Sequence, residues 1–236
     1  MTLRYASGQM FLFRPRPPRP PIIVGGAPPY AIRPEDVDEA AIRAARALHF
    51  GTISLISEPS RSATLHAIDR ARAAGCLISC DPNLRLALWP DADAAKAGML
   101  EAIAAADVVK ISDDELLFLT GSTDPGTARA DLWQAHHRLI VVTLGASGCV
   151  FIAAGATGMV GGFSVASVDA TGAGDAFVAG LLDGLLAAPD ALGDSDRLRS
   201  ICRFACAVGA LTTTERGAIP ALPTRAVVER FLSEPS

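Results

Sequence analysis

The stretch VDATGAGDAFVAGLL, residues 168–182, places two glycines and two aspartates directly before a run of small and apolar residues. The run predicts a buried helix, with Gly172, Ala173, Gly174 and Asp175 at its start. The free N–H groups of a helix N-terminus and the helix dipole attract anions. Two interpretations follow: a tight turn with Asp175 as a capping acid, or an anion-binding loop with a carboxylate beside it.

The composition of the 236-residue chain predicts one large, well-packed α/β protein, since apolar residues make up 50% and charged residues 19%. The net charge of -4 gives no indication of a nucleic-acid or anionic-membrane partner. No apolar run approaches the roughly 18 residues that a membrane span needs. We therefore expect a soluble, cytoplasmic protein with neither kind of partner.

The five cysteines also favour a reducing compartment, because their number is odd. The pairs Cys76/Cys80 and Cys202/Cys206 leave open a four-thiolate metal site. Zinc pairs, however, usually lie on turns rather than inside regular elements. Free, buried thiols are the favoured interpretation.

Residues 1–33 differ in kind from the rest of the chain. Eight of the 16 prolines fall between residues 15 and 34, and no acidic residue precedes Glu35. The run RPRPPRPP, residues 14–21, favours polyproline II and excludes a helix or a central strand. We predict a poorly ordered arm, with a ligand for an aromatic-lined groove as the alternative.

From residue 34 onward, predicted strands and helices alternate as they do in βαβ units. The helices cover about residues 34–48, 60–74, 91–105 and 113–137, and the strands residues 49–56, 76–80, 108–112 and 139–144. This alternation favours a mainly parallel sheet in one domain over residues 34–236. Short β segments at residues 148–154 and 158–167 suit an antiparallel edge, and two or three helices close the chain.

Four polar or glycine-rich loops follow predicted strands: DPNLR at residues 81–85, SDDE at 112–115, GASG at 145–148 and DATGAGD at 169–175. In such sheets, ligands bind beyond the carboxyl ends of the strands. Each loop alone could be an ordinary turn, helix cap or hairpin glycine. Together they predict a ligand site at one edge of the sheet.

The chemistry of the fourth loop favours phosphoryl transfer. The sequence of this loop matches neither the G-x-x-x-x-G-K-[ST] phosphate-binding loop nor the G-x-G-x-x-G dinucleotide-binding fingerprint. A carboxylate beside a bound phosphate is repelled, unless that carboxylate removes the proton of an attacking hydroxyl. We therefore predict that Asp175 is a general base and that the amides of Gly172, Ala173 and Gly174 stabilise the transferred charge.

These residues resemble the C-terminal signature of the ribokinase-like (PfkB) carbohydrate kinases. The segments HFGTISLISEPSRSA, DPNLRLALWP, VKISDDELLFLTG, VVTLGASGC and LTTTERGAIPALPT are similar to the fructokinase branch. The resemblance extends from about residue 33 to the C-terminus. It implies a three-layer α/β fold with a mainly parallel central sheet. It also implies ATP-dependent phosphorylation of a sugar, with fructose preferred and 2-keto-3-deoxygluconate as the alternative.

The resemblance also implies site residues for both substrates and ions. Asp175 matches the catalytic base, with Gly172, Ala173 and Gly174 as the anion hole. The residues matched to nucleotide binding are Asn83, Arg85, Thr143, Gly145, Gly148 and Cys206. Glu115 matches the acid that organises Mg²⁺ through water. The residues matched to a monovalent-cation site, for K⁺, are Asp169, Thr171, Gly217 and Ala218.

The chain departs from the family pattern at three places. Ser112 replaces an asparagine of the N-x-x-E motif, and Cys206 replaces an asparagine near the adenine. Family members also begin with a strand, a glycine-rich sugar-binding segment and a β lid, all of which we predict to be absent here. We interpret GGAP, residues 25–28, as a coincidental likeness to the sugar-binding segment.

The predicted loss of these front elements bears on activity and assembly. It would impair sugar recognition and make a lid-mediated homodimer unexpected. A truncated nucleotide-binding remnant without turnover is the non-enzymatic alternative.

Overall fold

A computed structural model describes residues 11–13 and 32–234, and these residues divide into two compact units. The N-terminal unit is Arg4–Ile140 and the C-terminal unit is Val141–Ser236. The boundary falls inside a strand, Leu139–Thr143, so a single strand carries the chain from one unit into the other.

The N-terminal unit contains a largely parallel sheet. Its strands are β1 (Phe11–Phe13), β2 (Ala47–Phe50), β3 (Leu77–Cys80) and β4 (Val108–Ser112). β2 pairs in parallel with β3, which pairs in parallel with β4, and Ser79 lies opposite both His49 and Val108. Four of the five β4 residues are buried, as is typical of parallel strands covered on both faces. The predicted parallel strands are confirmed here.

β1 lies within the predicted N-terminal arm. It pairs antiparallel with β2, with Phe11 opposite His49 and Phe13 opposite Ala47. Phenylalanine is enriched in strands. The poorly ordered arm over residues 1–33 stays a prediction. The polyproline prediction for residues 14–21 lies outside the described residues.

Four α-helices belong to the N-terminal unit: α1 (Glu39–Arg43), α2 (Ser60–Ala73), α3 (Ala92–Ala104) and α4 (Asp113–Thr120). α2 and α3 match their predicted ranges, and the Asp91 carboxylate caps α3 by accepting from the Ala94 N–H at 2.7 Å. The helical prediction to residue 137 is wrong beyond α4. Gly121 adopts a left-handed conformation that ends α4, and only a π-helical turn, Ala128–Leu132, follows.

The predicted helix over residues 34–48 is shorter in the structure. A 3-10 turn, Pro34–Asp36, precedes α1, and β2 already begins at Ala47. The reason is that the side chains of Asp36 and Asp38 bind backbone N–H groups and cap two short turns, so that the segment does not form one continuous helix. Asp38, for example, accepts from the Ala41 N–H at 2.9 Å and starts α1.

The predicted strand over residues 49–56 ends early, at Phe50. Both the N–H and the hydroxyl of Thr52 donate to the Pro82 carbonyl, the N–H at 3.3 Å. These bonds turn the chain into a 3-10 turn, Thr52–Leu55. A contact 30 residues away in sequence therefore overrides the local strand preference.

Trp89 packs onto α3 at Gly98. A Cβ atom at Gly98 would lie 2.1 Å from the indole ring, so the glycine leaves room for the aromatic side chain. The indole Nε1 is buried and has no hydrogen-bond partner within the described ranges.

The C-terminal unit combines an antiparallel edge with three helices. Its elements are β5 (Leu139–Thr143), β6 (Gly148–Ala153), β7 (Thr157–Gly161), α5 (Ala173–Ala187), α6 (Ser195–Thr212) and α7 (Arg225–Ser233). β6 pairs antiparallel with β7, with Gly148 opposite Gly161. This confirms the predicted edge, although β7 ends at Gly161 and not at residue 167.

Small residues let α5 and α6 approach closely. A Cβ atom at Gly180 would lie 3.0 Å from the Ala205 Cα, and one at Gly184 would lie 2.7 Å from the Ile201 side chain. Residues 176–182 of α5 are all buried, which confirms the predicted buried helix. Among the residues that the structure describes, no helix is long and apolar enough to cross a membrane.

All five cysteines are buried free thiols, as predicted. Their side chains do not form the four-thiolate site left open by the sequence, since no group of three or more His, Cys, Asp or Glu residues in the described chain could hold a metal ion. The Cys206 thiol instead lies 3.7 Å from the Cys149 sulfur.

Candidate active site

The loop after β5 closes tightly on the end of β7. The Leu144 N–H donates to the Gly148 carbonyl at 2.8 Å, and the Gly162 N–H donates to the Ser147 carbonyl at 3.1 Å. Gly148 has a φ of 100°, and a Cβ atom there would lie 2.1 Å from the Val160 carbonyl oxygen. Only glycine fits this position, because both its backbone angle and its surroundings exclude a side chain.

This loop forms one wall of a cavity of about 400 Å³ within the C-terminal unit. That volume falls in the range of roughly 300–1,000 Å³ typical of small-molecule sites. Six of the predicted site residues line the cavity: Thr143, Gly145, Gly148, Ala173, Gly174 and Cys206. Phe163 and Phe177 add apolar area to its wall, so the cavity suits a flat, partly apolar group together with a polar one.

Cys206 contributes a neutral wall to this cavity. Its hydrogen bond with Cys149 is the largest cause that raises the pKa of the Cys206 thiol above its usual range, and burial adds to the effect. The thiol is therefore protonated at neutral pH. It offers the cavity a small, uncharged surface.

The N-terminus of α5 supplies backbone amides beside the cavity. Gly172 is the N-cap residue, with a left-handed φ of 83°, and a Cβ atom there would lie 2.6 Å from the Ala218 Cβ. The N–H groups of Gly172 and Gly174 donate no hydrogen bond to any other described residue, as is usual in a first helical turn. Both amides are thus available to an anion.

The Ala173 amide departs from the prediction. Its N–H donates to the Ala170 carbonyl at 3.2 Å, because the chain makes a turn immediately before α5. The Ala173 amide is therefore already paired in this structure, unlike the amides of Gly172 and Gly174. Asp175 is half-buried at the third helical position, where the helix dipole favours a negative charge.

The loop that precedes α5 is held by the Asp169 carboxylate. Oδ1 accepts from the Thr171 N–H at 2.9 Å and from the Thr171 hydroxyl at 2.6 Å, while Oδ2 accepts from the Gly217 N–H at 2.9 Å. These bonds, the Thr171 hydroxyl first among them, lower the pKa of Asp169 to about 2. The carboxylate is therefore ionised at neutral pH.

The four residues predicted to hold a monovalent cation come together at this loop. Asp169 bonds to Thr171 and to Gly217, and Ala218 packs against Gly172. The site offers a negative charge on the Asp169 carboxylate, which bridges two adjoining loops. Hard cations take such oxygen donors, so the residues fit a cation of this class.

The remaining predicted residues lie in the N-terminal unit. Asn83 has a left-handed φ of 52°, and the exposed Arg85 donates to the Leu84 carbonyl at 2.9 Å. Glu115 is buried, with its two carboxylate oxygens accepting from the Leu84 and Ser112 N–H groups, each at 2.8 Å. Ser112, which departs from the family asparagine, accepts from the Glu115 N–H at 3.2 Å and completes a capping box.

The buried ion pair of Asp81 and Lys110 was not predicted from the sequence. Their side chains meet at 3.0 Å and are only 6% and 9% exposed. One signal was available: a lysine inside the apolar strand VVKIS needs a partner, because buried charges are almost always paired.

The same region contains His49, whose Nδ1 lies 3.2 Å from the Ser79 hydroxyl. Burial lowers the pKa of His49 to about 4, and the nearby positive charge of Lys110 contributes to this shift. His49 is therefore neutral at pH 7.

Comparison with known protein families identifies the family of the chain. Residues 25–225 match the description "pfkB family carbohydrate kinase". The chain belongs to the pfkB family. The match includes residues 25–28, so it does not support our interpretation of GGAP as a coincidence; those residues lie outside the part that the structure describes.

Relatives within the pfkB family include several plant fructokinases. Fructokinase-2 of Solanum habrochaites is 48% identical over 194 residues, which are 82% of this chain and 59% of the relative. Probable fructokinase-4 of Arabidopsis thaliana is 47% identical over 203 residues, which are 85% of this chain and 62% of the relative. The chain thus spans about three fifths of the length of these relatives.

Solved structures confirm the predicted ribokinase-like α/β fold. Fructokinase from Vibrio cholerae O395, bound to fructose, ADP and calcium ion, superposes with a TM-score of 0.77 at 35% identity, covering 90% of this chain and 68% of that one. Fructokinase from Xylella fastidiosa with bound ATP gives a TM-score of 0.80 at 31% identity, covering 91% and 68%.

Proposed function

We propose that the chain catalyses the ATP-dependent phosphorylation of a sugar hydroxyl, with fructose as the acceptor. The observation that carries this proposal is the start of α5, where two available glycine amides and the Asp175 carboxylate lie within one helical turn. The cavity beside that turn has room for part of a nucleotide. Fructose is favoured because the relatives named above are fructokinases.

In the proposed mechanism, the oxygen of the sugar hydroxyl attacks the terminal phosphorus of ATP, and Asp175 accepts the proton of that hydroxyl. The bond between that phosphorus and the bridging oxygen breaks, and ADP leaves. The Gly172 and Gly174 N–H groups donate to the transferred phosphoryl oxygens, where negative charge is concentrated. Thr143, Gly145 and Gly148 bind the nucleotide. Within the N-terminal unit, Asn83 and Arg85 suit phosphate contacts, since a guanidinium forks onto phosphate oxygens.

Two ions belong to the proposal. Mg²⁺ would accompany ATP and neutralise phosphate charge, in the region of Glu115. A monovalent cation such as K⁺ would bind at the Asp169 loop, where a permanently ionised carboxylate favours it. An E. coli protein described as "a putative Ribokinase II", a structural neighbour at 27% identity and a TM-score of 0.71, was solved in a complex with ATP and Mg²⁺. The buried free thiols support action in the cytoplasm.

Two measurements test the proposal. ATP with Mg²⁺ should raise the melting temperature by mass action. When the ATP concentration is a hundredfold above Kd, binding should add about 2.7 kcal/mol to the free energy of unfolding. ADP release should then depend on added fructose more than on 2-keto-3-deoxygluconate. Fructose binding without ATP binding would overturn the assignment. ATP binding without turnover would favour the non-enzymatic alternative.

A further inference from the structure

Glu115 joins two segments of the N-terminal unit that are far apart in sequence. Its Oε1 accepts from the Leu84 N–H in the loop after β3, and its Oε2 accepts from the Ser112 N–H at the start of α4, both at 2.8 Å. The residue is only 6% exposed. A single carboxylate therefore bridges the two loops.

The surroundings of this carboxylate favour an anchoring role. A buried charge is costly unless hydrogen bonds compensate it, and here each oxygen has a backbone donor. Charge-assisted bonds of this kind are about twice as strong as neutral ones. The positive end of the α4 dipole stabilises the charge further. Glu115 is thus fixed in place by the protein alone.

The loop between β3 and Glu115 is held at both ends. At its start, Asp81 pairs with Lys110 and the Pro82 carbonyl accepts from the Thr52 N–H at 3.3 Å. At its end, Leu84 bonds to Glu115. Between these anchors Asn83 adopts a left-handed conformation with a φ of 52°, a region in which asparagine is enriched among non-glycine residues. Loss of the second anchor should release residues 83–85.

We propose that Glu115 is a positioning residue, which holds residues 83–85 in the conformation that presents Asn83 and Arg85 to phosphate. The proposal rests on the function proposed above, in which those two side chains are candidate phosphate contacts. It differs from a role in organising Mg²⁺ in one measurable respect. The anchor exists without any metal or nucleotide.

The first test uses the unaltered chain, free of Mg²⁺ and nucleotide. Hydrogen exchange of the Leu84 amide, followed by nuclear magnetic resonance, should be slower than in an unstructured peptide by about tenfold or more, since hydrogen bonds to charged groups contribute at least that factor. Exchange at the unstructured rate would overturn the proposal. This test requires no variant to fold.

The second test compares Glu115→Gln with Ser112→Ala. The glutamine amide can accept only one of the two bonds, whereas Ser112→Ala removes the other half of the capping box and leaves both Glu115 oxygens bonded. Tryptic cleavage after the exposed Arg85, scored by mass spectrometry without Mg²⁺, should accelerate about tenfold in Glu115→Gln. In Ser112→Ala it should remain near the parent rate.

Ligand affinities then separate the anchor from a metal role. Glu115→Gln should weaken ATP binding at saturating Mg²⁺ while leaving adenosine affinity unchanged. Unchanged cleavage with a raised Mg²⁺ requirement would overturn the proposal. If the parent fails to bind ATP, the proposed function is wrong, whereas cleavage at Arg85 and exchange at Leu84 still decide whether Glu115 anchors the loop.

Discussion

The two units of the chain hold their functional loops by different means. In the C-terminal unit the loops depend on backbone groups, on the Asp169 carboxylate that accepts from them, and on glycines such as Gly148 and Gly172, whose positions leave no room for a Cβ atom. In the N-terminal unit the loop after β3 depends on buried side-chain charges, those of Asp81, Lys110 and Glu115. The first kind of site is damaged by added atoms, and the second by the removal of one partner.

The largest effect should come from Asp175→Asn, which leaves the backbone of the C-terminal unit unchanged. General-base catalysis typically contributes about 10²- to 10⁴-fold, so kcat should fall by that order while ATP affinity changes little. Turnover is to be measured in the chain and in a chimera that carries the N-terminal residues of Solanum lycopersicum fructokinase-2. Asp183→Asn, on the same helix, is the matched control. A near-parental rate for Asp175→Asn would show that Asp175 only stabilises the helix start.

Removal of one buried charge in the N-terminal unit should lower the free energy of unfolding. The loss should be nearly as large as the rise in activation free energy caused by Asp175→Asn. Lys110→Met leaves Asp81 buried without its partner, and such changes typically destabilise by about 3–5 kcal/mol. Arg43→Met, which breaks the exposed pair with Glu39, should cost no more than about 0.5 kcal/mol. Urea titration of both variants measures the difference. Equal losses would mean that the buried pair contributes no more than a surface pair.

An added methyl group in the C-terminal unit should have the next largest effect. Gly148→Ala forces a Cβ atom to within 2.1 Å of the Val160 carbonyl oxygen at a φ of 100°, so we expect a loss of about 2–4 kcal/mol and weaker ATP binding. Gly155→Ala, in the β6–β7 turn with nothing within 4 Å, should be nearly neutral. Thermal unfolding with and without ATP distinguishes the two. Similar melting temperatures would contradict the backbone-packing argument.

Acid should weaken the N-terminal unit before it weakens the Asp169 loop. The pKa of His49 in the folded chain, about 4, lies below its unfolded value of 6.5, so the unfolded state binds more protons and stability falls as pH drops from about 6.5 to 4. The loss should reach roughly 2–3 kcal/mol, and His49→Gln should remove it.

For Asp169, whose folded pKa is about 2, the stability contribution is lost only as pH falls below about 3.8 towards 2. Calorimetric unfolding at a series of pH values tests the order of the two losses. A His49→Gln variant with the parental pH dependence between pH 6.5 and 4 would contradict it.

The difference between the units also explains what the sequence could predict. Backbone-built sites leave a local signal, because glycines that need a positive φ or a close approach recur at short spacing, as at Gly145, Gly148 and Gly172. The GASG and DATGAGD loops were predictable for that reason, whereas Thr143 and Cys206 were matched only through the family resemblance. The elements α2, α3, β4 and α5 were also predictable. Each has an uninterrupted pattern of apolar residues with a clear first residue.

Features that depend on long-range contacts were not predictable from local pattern. β2 ends early because Thr52 bonds to Pro82, 30 residues away. The Asp81–Lys110 pair joins two strands that only the folded sheet brings together. The bond from the Ala173 amide to the Ala170 carbonyl was not predicted for a different reason. Whether a turn closes immediately before a helix depends on backbone angles that the residue types GAG do not determine.

The packing of Trp89 against Gly98 has a consequence for fluorescence. Both tryptophans of the chain, Trp89 and Trp133, belong to the N-terminal unit, and the Trp89 indole N–H is buried with no acceptor in the described sequence. Indole emission therefore monitors that unit alone, whereas peptide circular dichroism monitors both. Coincident transitions by the two signals would indicate that the units unfold together. An emission change at lower denaturant would show that the unit built on buried charges is the first to unfold.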